Sequence, residues 1–135
     1  MTINVKNLRG MTEAFAATLL DKGIKTSDQL LAAARDSKAR QELAKMLETD
    51  TKKVLELANR ADLARIKGIG SVYSDLLENA GVDTVRELAT RNAGNLLQKI
   101  GEINAAQNLA GRLPTLTQIQ DWIEQAKSLP RGIEH

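Results

Sequence analysis

The spacing of apolar positions along the chain predicts helices throughout. Leucine, isoleucine, valine and alanine recur three or four residues apart, and no stretch alternates regularly or carries a β-branched run long enough for a strand. Proline occurs only at positions 114 and 130. The pattern therefore predicts an all-α fold, with helices beginning near residues 12, 26, 37, 50, 71, 85, 93 and 117.

Local signals predict where several of these helices begin and end. Capping boxes, in which a threonine is followed three positions later by Gln or Glu, are predicted at Thr26, Thr84 and Thr117. Gly23 and Gly81 are predicted to end the helices that precede them, because glycine readily adopts the left-handed conformation of a C-cap. Pro130 should end the last helix, and residues 130–135 are predicted to form a loose tail.

The chain contains an internal repeat. A shift of 58 residues without a gap places Leu8-Arg-Gly-Met on Ile66-Lys-Gly-Ile, and it also aligns Leu19, Gly23, Thr26 and Leu30 with Leu77, Gly81, Thr84 and Leu88. We therefore predict two halves related by a pseudo-two-fold axis, over residues 1–62 and 63–129, followed by the tail. An insertion of about seven residues is expected near residues 105–112 of the second half, because the last helix matches residues 54–61 at a shift of 65.

Gly68-Ile69-Gly70 is predicted to form a tight turn between two helices. Glycine adopts positive φ without a Cβ penalty, and we expect Gly70 to have positive φ or to face a crowding neighbour. Ile69 should point inward, while the amides of Gly70, Ser71 and Val72 face solvent at the positive end of a helix. Together with Arg65, Lys67 and Gly68, these residues form the predicted phosphate site.

The first copy of this turn, at residues 10–12, is predicted to be a weaker site. Thr12 stands at the position of Gly70, and a β-branched residue is poor at positive φ. The candidate residues of this second site are Lys6, Arg9, Gly10 and Thr12. We expect changes there to matter less than changes at residues 65–72.

Composition excludes several chemistries. The chain has no cysteine and one histidine, His135, at its last position, so thiolate chemistry is excluded and zinc binding or histidine catalysis is not expected. The three aromatic residues are too few for a base-stacking platform. The net charge of +2 does not by itself indicate a polyanionic partner. Without an apolar run or a leader, we expect a cytoplasmic protein that does not bind membranes.

The segment from Leu63 to Leu77, with Gly68-Ile69-Gly70 at its centre, resembles the helix-hairpin-helix motif. That resemblance implies a duplicated helix-hairpin-helix (SAM-like) domain that binds the sugar–phosphate backbone of duplex DNA, sometimes with a monovalent cation on the turn carbonyls. Gly81–Leu88 is similar to the C-terminal domain of the bacterial RNA polymerase alpha subunit. Residues 61–70 and 121–130 resemble a bacterial family of unknown function built on such repeats, and this likeness covers nearly the whole chain.

Two function classes stay open from the sequence. The first is a non-enzymatic module that binds duplex DNA weakly, without reading its sequence. The second is a protein-interaction or self-association module, such as a homodimer, which the balanced charge and few aromatics fit equally well. A DNA glycosylase is not expected, because Lys67 with Asp75 or Asp83 is too small a basis for a catalytic site.

Overall fold

The computed structural model describes residues 3–134 and is helical, which confirms the predicted all-α class for that part of the chain. A short 3-10 turn, Val5–Asn7, precedes the helices. The helices are α1 (Glu13–Asp21), α2 (Ser27–Ala33), α3 (Ser37–Leu47), α4 (Thr51–Leu63), α5 (Ser71–Asn79), α6 (Val85–Leu88), α7 (Ala93–Gln107) and α8 (Leu116–Ser128). None of the described helices is long and apolar enough to cross a membrane. His135 lies outside the described residues.

The buried apolar side chains form two clusters, one on each side of residue 62. The first collects residues from Val5 to Ala61 together with Ile133, and the second collects residues from Leu63 to Ala126. Trp122 is 2 % exposed at the centre of the second cluster, where its ring lies 5.4 Å from that of Tyr73. Each half therefore buries its own apolar faces, and burial of this kind supplies most of the stability of short helices.

The two halves contain helices with matching bounds. Both α1 and α5 have nine residues, and α5 begins 58 residues after α1. The hydrogen bonds that end them also correspond, since Ile24 N donates to Leu19 O at 2.9 Å and Val82 N donates to Leu77 O at 2.8 Å. The glycines before these bonds, Gly23 and Gly81, have φ of 79° and 90°. Both therefore adopt the left-handed conformation that glycine favours at a helix C-terminus.

The last helix of each half corresponds at a shift of 65 residues. Both α4 and α8 have thirteen residues, and Leu57 and Trp122 are buried at equivalent positions. The predicted cap of α8 was wrong by two residues. Thr115 is the N-cap: its Oγ1 accepts from Gln118 N at 3.1 Å, and Thr115 N donates to Gln118 Oε1 at 2.8 Å. Thr115 and Thr117 have the same Thr-x-x-Gln spacing, so the spacing alone could not decide between them.

The other two predicted capping boxes differ from each other. At Thr26 the box is complete, because Gln29 Oε1 accepts from Thr26 N at 3.2 Å. Thr84 Oγ1 accepts from Glu87 N at 3.2 Å, but the Glu87 carboxylate pairs with Arg91 at 2.8 Å. A basic side chain one turn later thus draws the glutamate away from the helix start.

The prediction of a loose tail was wrong for the described part of the C-terminal segment. Ile133 is 4 % exposed and packs into the first cluster. Glu134 N donates to Arg35 O at 2.8 Å, and the buried Arg40 donates through Nη2 to Glu134 O at 2.6 Å. The segment after α8 therefore returns to the first half and joins the two halves.

Candidate nucleic-acid interface

The turn at residues 68–70 joins α4 to α5, and only one of its glycines is left-handed. Gly68 has a φ of +97°, whereas Gly70 is extended, with φ −96° and ψ −168°. Ile69 is fully buried, as predicted. The expectation that Gly70 is strained or crowded was wrong, because a Cβ there would have no neighbour within 4 Å. At Gly68, by contrast, a Cβ would lie 2.8 Å from Trp122 Nε1.

The first turn has the same backbone course. Gly10 has a φ of +89°, and Thr12 is extended with φ −106° and ψ 161°. Threonine is well suited to an extended residue, so the reason given for a weaker first site, that position 12 needs positive φ, was wrong. The two turns differ in chemistry instead. Thr12 Oγ1 accepts from Phe15 N at 3.1 Å and so caps α1, whereas no side chain caps α5 at Gly70.

The N-terminus of α5 opens onto a groove of about 430 Å³, which we call the hairpin groove because residues of the turn line it. Gly68, Gly70, Ser71 and Val72 line one side, and the loop from Leu109 to Arg112 lines the other. Tyr73 OH donates to Arg112 O at 3.1 Å, which links the two sides. No side chain caps α5 at Gly70, so the first amides of this helix have no side-chain acceptor, and the positive end of the helix dipole lies beside the groove.

One exposed basic residue lines this groove, and another immediately precedes its lining residue Gly68. Lys67 is exposed, and Gln125 bonds its backbone on both sides: Lys67 N donates to Oε1 at 2.8 Å, and Nε2 donates to Lys67 O at 3.2 Å. The backbone of Lys67 is thus fixed while its ammonium group reaches solvent. Arg112 is also exposed and lines the groove. The sequence reasoning missed Arg112, since a loop forty residues beyond the turn gives no local signal.

Arg65, in contrast, is an internal ion-pair residue. Its side chain is 13 % exposed, and Nη1 bonds Asp62 Oδ1 at 2.8 Å while Nη2 donates to Pro130 O at 2.6 Å. Arg65 lines a different cavity from the hairpin groove. The structure therefore separates Arg65 from the other predicted site residues, and an Asp at position i−3 was the sequence signal for this pair.

The two basic residues at the first turn differ in their surroundings: one lies near a carboxylate and the other is exposed. Arg9 approaches Asp75 on α5 at 3.7 Å, and Arg60 bonds the same carboxylate at 2.9 Å. Lys6 is exposed within the 3-10 turn and lines a different pocket from Arg9. Leu8 and Arg9 share a narrow crevice with residues 69–71, so the two turns lie beside each other.

The described residues show no metal-binding constellation, since no three His, Cys, Asp or Glu side chains converge.

The family described as "Domain of unknown function (DUF4332)" matches residues 9–129. The chain therefore belongs to this family, and the match runs from the first turn to the end of α8. Comparison with curated proteins and with solved structures gave no match.

Proposed function

We propose that the chain is a duplicated helix-hairpin-helix module that binds duplex DNA weakly and without reading its sequence. The corresponding bounds of α1 and α5, and the left-handed glycine at the same place in both turns, support the duplication. The module is proposed to be non-enzymatic. The monovalent cation that the family resemblance implies at the turn carbonyls stays a prediction.

The uncapped start of α5 is the observation that carries this proposal. Gly70 leaves the first amides of a nine-residue helix without a side-chain acceptor, beside the exposed Lys67 and Arg112. A phosphate can accept from such amides and pair with both cations, and contacts of this kind hold the backbone without reading bases. The proposed site is therefore Lys67, Gly68, Gly70, Ser71 and Val72, with Arg112 added and Arg65 left out.

The first turn is proposed as a weaker site. Thr12 already satisfies the Phe15 amide, and Arg9 lies near the Asp75 carboxylate. Lys6 is the cation of that set that takes part in none of the ion pairs found among the described residues. Since the two turns lie side by side, one duplex backbone is expected to contact the second turn strongly and the first turn weakly.

A matched pair of variants tests this assignment. Lys67→Gln/Arg112→Gln removes the exposed cation next to Gly68 and the one that lines the groove, whereas Lys38→Gln/Lys45→Gln removes two exposed cations from α3. Both variants lose the same net charge, and both are titrated with a labelled duplex by fluorescence anisotropy. The groove variant should flatten the slope of log K against log salt by about two units, and the α3 variant should leave it nearly unchanged. Equal effects of the two variants would contradict a localised site.

Exchanging the caps provides an independent test. Gly70→Thr should add a hydroxyl that accepts from the Tyr73 amide, as Thr12 does for Phe15 in the first turn. This change should stabilise the fold slightly and weaken duplex binding, because the amide is no longer available. Thr12→Gly should destabilise the fold by about 0.5 kcal/mol and strengthen binding at the first turn. Unchanged binding by both variants would exclude the amides as phosphate ligands.

The alternative function is a protein-interaction or self-association module. Within residues 3–134, four large apolar side chains are exposed by 39–55 %: Leu20, Val72, Leu113 and Leu116. Val72 lies in the hairpin groove itself, so the same surface would contact a protein partner or a second copy of the chain. Sedimentation velocity over a range of protein concentrations tests self-association, and Val72→Asn should abolish any dimer formed through the groove.

A further inference from the structure

A second cavity lies away from the hairpin groove. It has a volume of about 460 Å³ and is lined by residues from the end of α4, from α6, from the end of α8 and from the C-terminal segment. The two cavities share no lining residue among those described. Its size falls within the range of pockets that hold small molecules.

The charged side chains of this cavity are mostly basic. They are Arg65, Arg86, Lys127, Arg131 and one acid, Asp62. Asp62 is 3 % exposed and already accepts from Arg65 at 2.8 Å and from Val85 N at 2.8 Å. The cavity therefore has an excess of three positive charges, whereas the rest of the chain has fifteen basic and sixteen acidic residues. Such a concentration of one sign attracts anions.

Three of these cations can reach a ligand. Arg86 is exposed and takes part in none of the ion pairs of the described chain. Lys127 pairs with Glu124 only at 3.7 Å, and the two side chains are 56 % and 75 % exposed, so the pair is weak. Arg131 donates through Nε to Ile133 O at 2.8 Å, which orients its guanidinium group beside the cavity.

The remaining wall is aliphatic, with side chains from Val85, Ala89, Ala126, Leu129 and Ile133. No aromatic side chain belongs to the described lining, so a nucleobase would find no stacking partner there. An aliphatic group, by contrast, would bury apolar surface against these residues.

We propose that this cavity binds an amphiphilic anion, with a carboxylate or phosphate head held by Arg86, Lys127 and Arg131. A short aliphatic body lies against Ala89 and Leu129. Arginine donates paired hydrogen bonds to both kinds of head group. Because the C-terminal segment forms one wall, a bound ligand also favours the docked position of that segment.

Calorimetric titration with hexyl phosphate and with hexanoate tests the proposal and distinguishes the two head groups. Hexanol and inorganic phosphate serve as probes that each lack one half of the ligand. At least one of the two amphiphiles should bind about tenfold more tightly than hexanol and than inorganic phosphate. Amide shifts in NMR spectra should concentrate at Val85, Ala89, Ala126 and Ile133.

The variant Arg86→Gln/Lys127→Gln removes two cations without touching the Asp62–Arg65 pair or the C-terminal segment. It should weaken binding about five- to tenfold, while Lys38→Gln/Lys45→Gln, with the same change of net charge, should leave it unchanged. Circular dichroism verifies the fold of both variants. The proposal is overturned if neither amphiphile binds at millimolar concentration, if hexanol binds as tightly, or if the two variants weaken binding equally.

Discussion

Gly68→Ala should destabilise the fold far more than Gly70→Ala, although the two glycines stand two residues apart in one turn. At Gly68 the substitution places a side chain at φ +97°, and the left-handed conformation costs a non-glycine residue about 1–2 kcal/mol. The new Cβ also lies 2.8 Å from Nε1 of the buried Trp122, and overpacking of this kind costs about 1–3 kcal/mol. The expected loss is therefore about 2–5 kcal/mol.

Gly70→Ala should change the free energy of unfolding by less than about 0.5 kcal/mol. The residue has ordinary extended angles, and a Cβ would meet no atom within 4 Å. Alanine restricts the unfolded chain, which stabilises the fold, but it is a poorer N-cap than glycine. These two effects act in opposite directions and are similar in size.

Gly23→Ala separates the two causes at Gly68. Gly23 has a φ of +79° and no neighbour within 4 Å of a Cβ, so its substitution carries only the conformational penalty of about 1–2 kcal/mol. The excess loss of Gly68→Ala over Gly23→Ala measures the contact with Trp122. Urea unfolding, followed by the fluorescence of this single tryptophan and by circular dichroism, gives all three values. If Gly70→Ala lost as much stability as Gly68→Ala, the assignment of the strained residue would be refuted.

Two further substitutions test how the halves are joined. Asp62→Asn should lower the free energy of unfolding by about 2–4 kcal/mol, because Asp62 is buried and pairs with Arg65. Asp83→Asn, at an exposed residue, should have little effect. Urea unfolding of both variants measures the two losses, and equal losses would contradict the role of the buried pair. Ile133→Ala should lower the free energy of unfolding by about 2 kcal/mol, since the side chain is buried in the first cluster. Faster amide exchange at Glu134 should accompany the loss, and unchanged stability would show that the C-terminal segment does not contribute to the first core.

The helical class could be predicted from the sequence because it depends on the periodicity of apolar residues. The 58-residue spacing of α1 and α5 could be predicted because apolar residues, glycines and a capping threonine align at that shift. The left-handed glycine of the second turn was wrongly assigned to Gly70, although comparison of the two matching segments indicates Gly68. Glycine is present in both segments at positions 10 and 68, whereas Thr12 stands at the position of Gly70. The position with positive φ is the one that is glycine in both segments.

The composition of the candidate site was less predictable. Arg65 is two residues from Lys67 and has the same charge, so it was assigned to the same site. Its charge alone does not show that Arg65 pairs with Asp62 instead. Arg112 reaches the groove only because the loop before α8 packs beside Tyr73. The C-terminal segment packs on the first cluster through Ile133. A single apolar residue in a short polar stretch gives no periodic signal from which this contact could be predicted. Such features depend on tertiary contacts rather than on local pattern.

The most direct test of the central claim is to measure the affinity of the wild-type protein for duplex DNA at low salt and as salt is added. Anisotropy of a labelled duplex should give weak binding with a slope of log K against log salt of about −2 to −4, because a few phosphates release their counterions. A duplex of scrambled sequence should give the same affinity within about twofold, because backbone contacts carry no base information. Absence of detectable duplex binding at low salt would contradict the nucleic-acid function and leave the protein-interaction module as the reading of this fold.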